Sequence, residues 1–189
     1  MEHRIKRVKR TLLREGSVLN FYRDTMLLRD GSQEEWDFVE HKRGGGACIV
    51  PVLPDGRILM VRQYRPSIER ETLELPAGAK DSADEEPGLT ARRELQEETG
   101  YRAGKMTFLC RIKTAAAWCD EETVIFLAEE LEKKSGQRLD PAEEICYEAH
   151  PLDELKAMIF SGELEDAKTA AGIMAYAALL AGRPASGEK

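Results

Sequence analysis

The chain has few of the residues on which much enzyme chemistry depends. Its three histidines, His3, His41 and His150, are scattered, so neither a histidine metal site nor a Ser-His-Asp triad finds support. The four cysteines, Cys48, Cys110, Cys119 and Cys146, include no CxxC pair. Zinc binding and dithiol chemistry are therefore not indicated, and reduced thiols in a cytoplasmic protein are expected. Cys119 lies beside Asp120-Glu121-Glu122 with no basic neighbour to activate it as a nucleophile. No apolar run approaches the length of a membrane span. The basic start, Met1 to Arg10, leads into no apolar stretch and does not read as a secretory signal. Internal repeats and low-complexity segments are missing as well. Positive charge is in deficit: 28 Lys and Arg against 35 Asp and Glu give a net charge of −7. That balance argues against non-specific binding to nucleic acid or membrane.

What is present is a chain of 189 residues, 42% hydrophobic and 33% charged, enough for one domain with a real core and a small appendage. Its most informative stretch runs from Leu75 to Tyr101. Pro87 suits a first helical turn, where its missing N–H costs nothing. Glu85 and Glu86 precede it and favour the positive end of the helix. Gly100 suits the left-handed position that closes a helix. Leu89, Ala91 and Leu95 supply an apolar stripe. Glu94, Glu97 and Glu98 then share one face, at i, i+3 and i+4. Like charges so placed repel each other. A hard divalent cation such as Mg²⁺ or Mn²⁺ removes the conflict, and such ions bind carboxylates together with substrate phosphates. Arg93 stands beside the cluster, placed to orient a glutamate. The alternative is a solvated acidic face, the usual meaning of a charge run. Pro76-Ala77-Gly78 reads as a turn that brings backbone close to this helix.

Taken together, Gly78, Glu85, Arg93-Glu94-Leu95, Glu97-Glu98 and Gly100 resemble the box of the Nudix pyrophosphohydrolases. One departure is that six residues, not five, separate Gly78 from Glu85. The extra residue falls in the loop and leaves the helix register intact. The resemblance implies an α/β fold, an α/β/α sandwich around a mixed sheet, preceded by a small β-rich extension. It implies that Glu94, Glu97 and Glu98, with the backbone carbonyl of Ala77, hold the metal, and that Glu97 and Arg93 belong to the catalytic apparatus and Gly78 to the substrate loop.

The flanks point to the ADP-ribose and ADP-sugar pyrophosphatase branch. Residues 1–45 read as a hairpin meander, with strands at Ser17–Tyr22, Thr25–Leu28 and Trp36–Glu40 and a turn at Arg29–Ser32. In that branch such an extension commonly builds a homodimer with substrate lying across subunits. Trp36 either stacks a nucleobase, worth about 1–3 kcal/mol, or anchors the dimer, where aromatics are enriched. Lys42-Arg43-Gly44-Gly45-Gly46 precedes a strand rather than a helix, so it reads as a hinge and not a phosphate loop. Strands follow at Ala47–Leu53 and Arg57–Tyr64. Arg62 and Arg65 are planar forks suited to a diphosphate. Equally, they could pair with Glu69, Glu71 or Glu74.

Further strands are expected at Met106–Ile112 and Glu122–Ala128. The loop between them keeps an aromatic, Trp118, and Asp120-Glu121, but lacks the Pro-Gly of the branch. Trp118 shapes the pocket or packs under the loop. A polar connection from Leu131 to Pro141 leads to a last strand, Cys146–Leu152. The family often draws a catalytic glutamate from just before that strand. Counting back from Pro151, Glu143 matches best and Glu144 is one off. Helices are expected at Asp153–Ser161 and Asp166–Leu180, and Glu165 to Thr169 again resembles the ADP-ribose branch. Residues 46–182 would form the hydrolase domain and 183–189 a disordered tail.

The expected activity is metal-dependent hydrolysis of a nucleoside diphosphate sugar, most closely ADP-ribose, in a cytoplasmic homodimer without nucleic-acid or membrane partners. GDP-mannose or another nucleotide sugar is the rival substrate. A Nudix-like domain that binds a nucleotide without cleaving it is the rival class.

Overall fold

The computed structural model describes residues 5–139 and 144–182. Glu143 and the expected tail at 183–189 lie outside that description.

The chain begins with an antiparallel meander of β1 (Lys6–Glu15), β2 (Leu19–Leu27) and β3 (Gln33–His41). Two sequence expectations are corrected here. Ser17–Tyr22 and Thr25–Leu28 are not separate strands but one, β2, and β1 was not anticipated at all. All ten residues of β1 are exposed, so its sequence carries no apolar alternation to reveal it. Its antiparallel ladder with β2 is reinforced by charge pairing. Asp24 on β2 is buried, and Arg10 donates to it from Nε and Nη2 at 2.8 and 2.7 Å. Arg7 adds a third contact at 3.3 Å. The Arg10 guanidinium also lies 4.5 Å from the Tyr22 ring centroid.

The remaining strands form two sheets. β4 (Gly45–Pro51), β7 (Ala77–Ala79), β8 (Tyr101–Lys113) and β9 (Glu122–Lys133) are ordered β7-β4-β9-β8, with β4 and β9 parallel and the other pairs antiparallel. β5 (Ile58–Arg65), β6 (Arg70–Glu74) and β10 (Ile145–His150) form an antiparallel sheet ordered β10-β5-β6. Helices α1 (Pro87–Thr99), α2 (Leu152–Ser161) and α3 (Ala167–Gly182) complete the fold. Pairing both parallel and antiparallel makes the sheet mixed, as expected.

Strand periodicity places the helices. Successive side chains of β4 point to opposite faces. Ala47 and Ile49 pack with Ala91 and Leu95 of α1. Cys48 and Val50 pack with Leu155 of α2 and Ile173 and Tyr176 of α3. β9 repeats the division, with Ala128 toward α1 and Ile125 and Leu127 toward α3. The central strands are thus apolar on both faces, the pattern of a sheet covered by helices on each side. Burial of the thiol between those layers pushes the Cys48 pKa well up, which makes it a packing residue. No helix among the described residues is long and apolar enough to cross a membrane.

Several boundaries differ from expectation. Ala77–Ala79 is a short strand on β4 and not only a turn. The expected polar connection starts late, because β9 continues to Lys133. The last strand ends at His150, where Pro151 caps α2.

Candidate functional site

Helix α1 carries the acidic cluster and is closed at both ends. Pro87 occupies its first turn, and the Glu86 side chain accepts from Gly88 N–H at 3.3 Å. Gly100 ends it in the left-handed conformation, φ 73°, and its N–H donates to Gln96 O.

On that helix the three glutamates stand in different surroundings. Glu94 and Glu98 are buried, whereas the Glu97 side chain is 39% exposed. Arg93 Nη1 donates to Glu94 Oε1 at 2.6 Å and to Glu97 Oε2 at 3.2 Å. Its Nη2 donates to Ala79 O at 3.0 Å, and Asp81 and Glu85 lie within 3.3 and 3.7 Å. Burial works to lower the Arg93 pKa, but the surrounding carboxylates raise it above the usual guanidinium value. Glu85 is held below the ordinary carboxylate range, chiefly by accepting from Asp81 N–H. Glu98 turns the other way and accepts from Ala77 N–H at 3.2 Å.

The strand beside this helix explains Gly78. A Cβ built on Gly78 would lie 2.1 Å from the Glu94 carboxyl carbon. Only glycine lets β7 and the Glu94 carboxylate come so close. Thus α1 and β7 form one unit, with Glu94 and Glu98 both directed at the backbone of Ala77 and Gly78.

The donors offered here are oxygens, which suits a hard cation rather than a soft one. Among the described residues no three His, Cys, Asp or Glu side chains already stand as a ligand set. Arg93 instead draws Glu94 and Glu97 toward itself. The residues therefore fit a divalent ion by their chemistry and face, with Arg93 as the present counter-charge.

A cleft of about 370 Å³ opens over β7 and the start of β4. Its lining includes Gly45, Gly46, Ala77 and Gly78, the side chains Arg65, Asp166 and Lys168, and Thr114, Glu121 and Thr123, whereas Glu94, Glu97 and Glu98 are not among the lining residues. Arg65 therefore reaches the cleft. Arg62 does not line it: its Nη2 pairs with Glu148 Oε1 at 2.6 Å. Residues 62 and 65 are an odd number apart on β5, so the strand turns them to opposite faces. Trp36 lies on β3, with its indole N–H on Glu34 Oε2 at 3.1 Å and its ring tilted against Phe38. Trp118 is 53% exposed and is not among the described residues of the cleft wall. Glu144 is exposed immediately before β10.

Of the acidic partners the sequence offered for the arginines, Arg65 takes Glu74, and the sequence reading missed that Lys168 joins them. Glu74 is 2% exposed, and Arg65 grips it with Nε at 2.7 Å and Nη2 at 2.5 Å. Lys168 Nζ and Thr72 Oγ1 also donate to it. Burial acts to raise the Glu74 pKa, but Arg65, Lys168 and Thr72 overcome this and hold it at about 2, against an ordinary 4.5. One internal carboxylate thereby fixes two cations of the cleft wall. Asp166 helps from the N-terminus of α3, accepting from Thr169 N–H and Oγ1 and lying 3.0 Å from Lys168 Nζ. For Lys168 the signal was the run Glu165–Thr169, which the sequence offers only as a likeness to the ADP-ribose branch.

A prediction follows from the depressed Glu74 pKa. The folded state favours the ionised carboxyl, so its stabilisation is complete above about pH 4.5 and is lost as pH falls toward 2. Melting temperatures from pH 7 to 2 should fall more steeply for the parent than for Glu74→Gln. At neutral pH the substitution should cost about 2–3 kcal/mol, below the usual penalty for breaking a buried pair because Arg65 retains some solvent.

The stretch that brings Thr114 and Glu121 to the cleft is tied to the N-terminal meander. Val39 N–H donates to Trp118 O at 2.7 Å, Asp120 N–H to Val39 O at 3.3 Å, and His41 N–H to Asp120 Oδ1 at 2.8 Å. The segment whose ends, Thr114 and Glu121, face the cleft is therefore clipped at its middle to β3.

Comparison with known proteins identifies the family and the fold. The family model described as NUDIX domain matches residues 42–172. The chain is similar to the ADP-ribose pyrophosphatase of Bacillus subtilis (strain 168), 36% identical over 169 residues that cover 89% of this chain and 90% of that protein. It is also similar to the ADP-ribose pyrophosphatase of Mycobacterium tuberculosis, 32% identical over 182 residues covering 96% and 87% respectively. A solved structure described as an ADP compounds hydrolase superimposes with a TM-score of 0.81 over 94% of this chain and 95% of its own, at 20% identity. That last likeness speaks for the fold.

Proposed function

Since the chain belongs to the NUDIX domain family, we propose that it hydrolyses the diphosphate of ADP-ribose or a closely related nucleoside diphosphate sugar. The single observation that carries this reading is the union of α1 and β7. There the buried Glu94 and Glu98 lie against the backbone of Ala77 and Gly78, and that same backbone helps line a cleft to which Arg65 and Lys168 contribute.

Glu94, Glu97 and Glu98, with the carbonyl of Ala77, would hold Mg²⁺ or Mn²⁺. When bound, such an ion lowers the pKa of water and offsets charge on the phosphoryl oxygens. The chain's own residues do the rest. Gly78 keeps the backbone there low enough for a diphosphate to approach the carboxylates. Arg65, pre-aimed by Glu74, presents a planar fork to the phosphate oxygens and loses little freedom on binding. Arg93 orients Glu94 and Glu97 through its hydrogen bonds to both. Glu143 or Glu144 accepts the proton of the attacking water. Water's oxygen bonds to one phosphorus, the bridging oxygen leaves with the other phosphate, and AMP and ribose 5-phosphate result. Arg62, paired with Glu148, has no part in this scheme.

The proposal also takes the protein as a cytoplasmic homodimer, with residues 1–45 as the dimerising arm and 46–182 as the hydrolase domain. Support comes from β1, which exposes Val8, Leu12 and Leu13 on a strand edge. Trp36 lies on that arm and is not among the residues lining the cleft of its own chain, so in the proposed dimer its ring is offered to a base in the partner's site.

Incubation with ADP-ribose and Mg²⁺, with products resolved by anion exchange, tests the reading. AMP and ribose 5-phosphate are expected in equal amounts, faster than GMP from GDP-mannose. Ligand bound for hours without product would instead mark a binding module.

A further inference from the structure

A helix leaves its last carbonyls without partners of its own. In α1 the carbonyls of Glu97, Glu98, Thr99 and Gly100 are all satisfied by one distant segment, residues 133–138. Arg138 N–H donates to Glu97 O at 2.8 Å. Gln137 Nε2 donates to Glu98 O at 2.6 Å. Lys133 Nζ donates to Thr99 O at 2.6 Å, and the N–H groups of Lys134 and Ser135 donate to Gly100 O at 3.0 and 3.3 Å. The fit is close: a Cβ on Gly100 would lie 2.3 Å from Ser135 O. Two of these carbonyls belong to glutamates that carry the proposed metal site.

Gln137 is the two-sided member. The same Nε2 that reaches Glu98 O also donates to Ile145 O at 3.0 Å. Ile145 opens β10, directly after Glu144. Lys133 makes a parallel link, since its Nζ donates to the Tyr147 hydroxyl at 2.7 Å and lies 4.5 and 4.7 Å from the Tyr147 and Tyr101 ring centroids. The C-terminal turn of α1 is thus pinned to the first residues of β10 through a side-chain amide.

We propose that Gln137 is a positioning residue for the metal-binding carboxylates, locking the turn that bears Glu97 and Glu98 in register with the start of β10. The inference rests on the metal-dependent hydrolase reading above. Gln137 touches neither substrate nor metal; it acts through the backbone of Glu98. Outer partners of this kind change metal affinity or activity by about 10–100-fold when lost. Because the pin acts through a backbone carbonyl and not a ligand's own side chain, the lower end of that range is expected.

The test compares the full-length parent with Gln137→Met, which keeps length but removes both donors, and Gln137→Lys, which restores donors to the same carbonyls. Mn²⁺ affinity is read from the free-ion resonance signal, and kcat and KM from ADP-ribose hydrolysis. Gln137→Met should weaken Mn²⁺ binding and lower kcat each about tenfold, with KM within about twofold of the parent. Gln137→Lys should recover most of both losses. Parent-like Mn²⁺ affinity and kcat in Gln137→Met overturn the proposal. So does an equal loss in Gln137→Lys, which would make packing, not donation, the issue. If Gln137→Met does not fold, Gln137→Ser, too short to reach either carbonyl, replaces it. Failure of both to fold overturns the proposal, because the bonds would then maintain the structure as a whole. A parent that neither binds Mn²⁺ nor releases AMP sinks the hydrolase reading instead, a result distinguishable from any behaviour of the variants.

Discussion

Glu98→Gln should lower kcat on ADP-ribose by about 10²–10³-fold, the loss expected when several kcal/mol of metal-borne stabilisation are removed. The fold should survive. Glu98 is buried and accepts from Ala77 N–H at 3.2 Å, and a glutamine carbonyl oxygen can accept the same bond without changing the volume. What disappears is the negative charge that a hard cation needs. The checks are steady-state kinetics at saturating Mg²⁺, Mn²⁺ affinity and thermal melting. Turnover within about threefold of the parent would remove Glu98 from the metal site. A large drop in melting temperature would make its role structural.

The second large effect is expected of Gly78→Ala, a single methyl group. The new Cβ would sit 2.1 Å from the Glu94 carboxyl carbon, a distance real atoms do not tolerate. Something must yield, and Glu94 has little room to do so. It is buried and held by Arg93 at 2.6 Å. Either the carboxylate swings off the metal face or β7 lifts from α1. Overpacking of this kind typically costs about 1–3 kcal/mol. Activity should suffer more, by about 10²-fold, because misplacing a reacting group by about 1 Å has that effect. Gly78→Ala should therefore combine a modest fall in melting temperature with a severe fall in kcat. Parent-like kcat would show that Glu94 is free to move without consequence, against the geometry described.

Helix α1 was legible because every local signal agreed. Proline at its first turn, glycine at its end and an apolar stripe all specified one helix, and the like-charged face asked for a counter-ion. The sequence placed Arg93 to orient one glutamate beside the metal, whereas in the fold it bonds both Glu94 and Glu97 and supplies part of the counter-charge. β1 was illegible for the opposite reason. Its ten residues are all exposed, and the ion pairs to Asp24 that reinforce it lie across strands, where periodicity carries no trace of them. β7 is three residues long and begins after a proline, so turn chemistry masked a strand set by its pairing with β4. Arg62 and Arg65 looked equivalent in sequence, and only the pleat of β5 separated them. Glu74 and Lys168 are 94 residues apart, so their meeting is a product of packing β6 against α3. Gln137 was hidden in a stretch dismissed as a polar linker, and its two acceptors belong to other elements.

The clip between β3 and Trp118, Cys119 and Asp120 has a practical bearing on how the arm can be studied. Trimming the first forty or so residues would do more than test the proposed association of two chains. It would strip three hydrogen bonds from the strap whose ends wall the cleft. Slower catalysis in such a truncation would report a slackened strap as well as the loss of the proposed dimer. Separating the two needs charge reversal on the outward side of β1, which leaves the strap fastened.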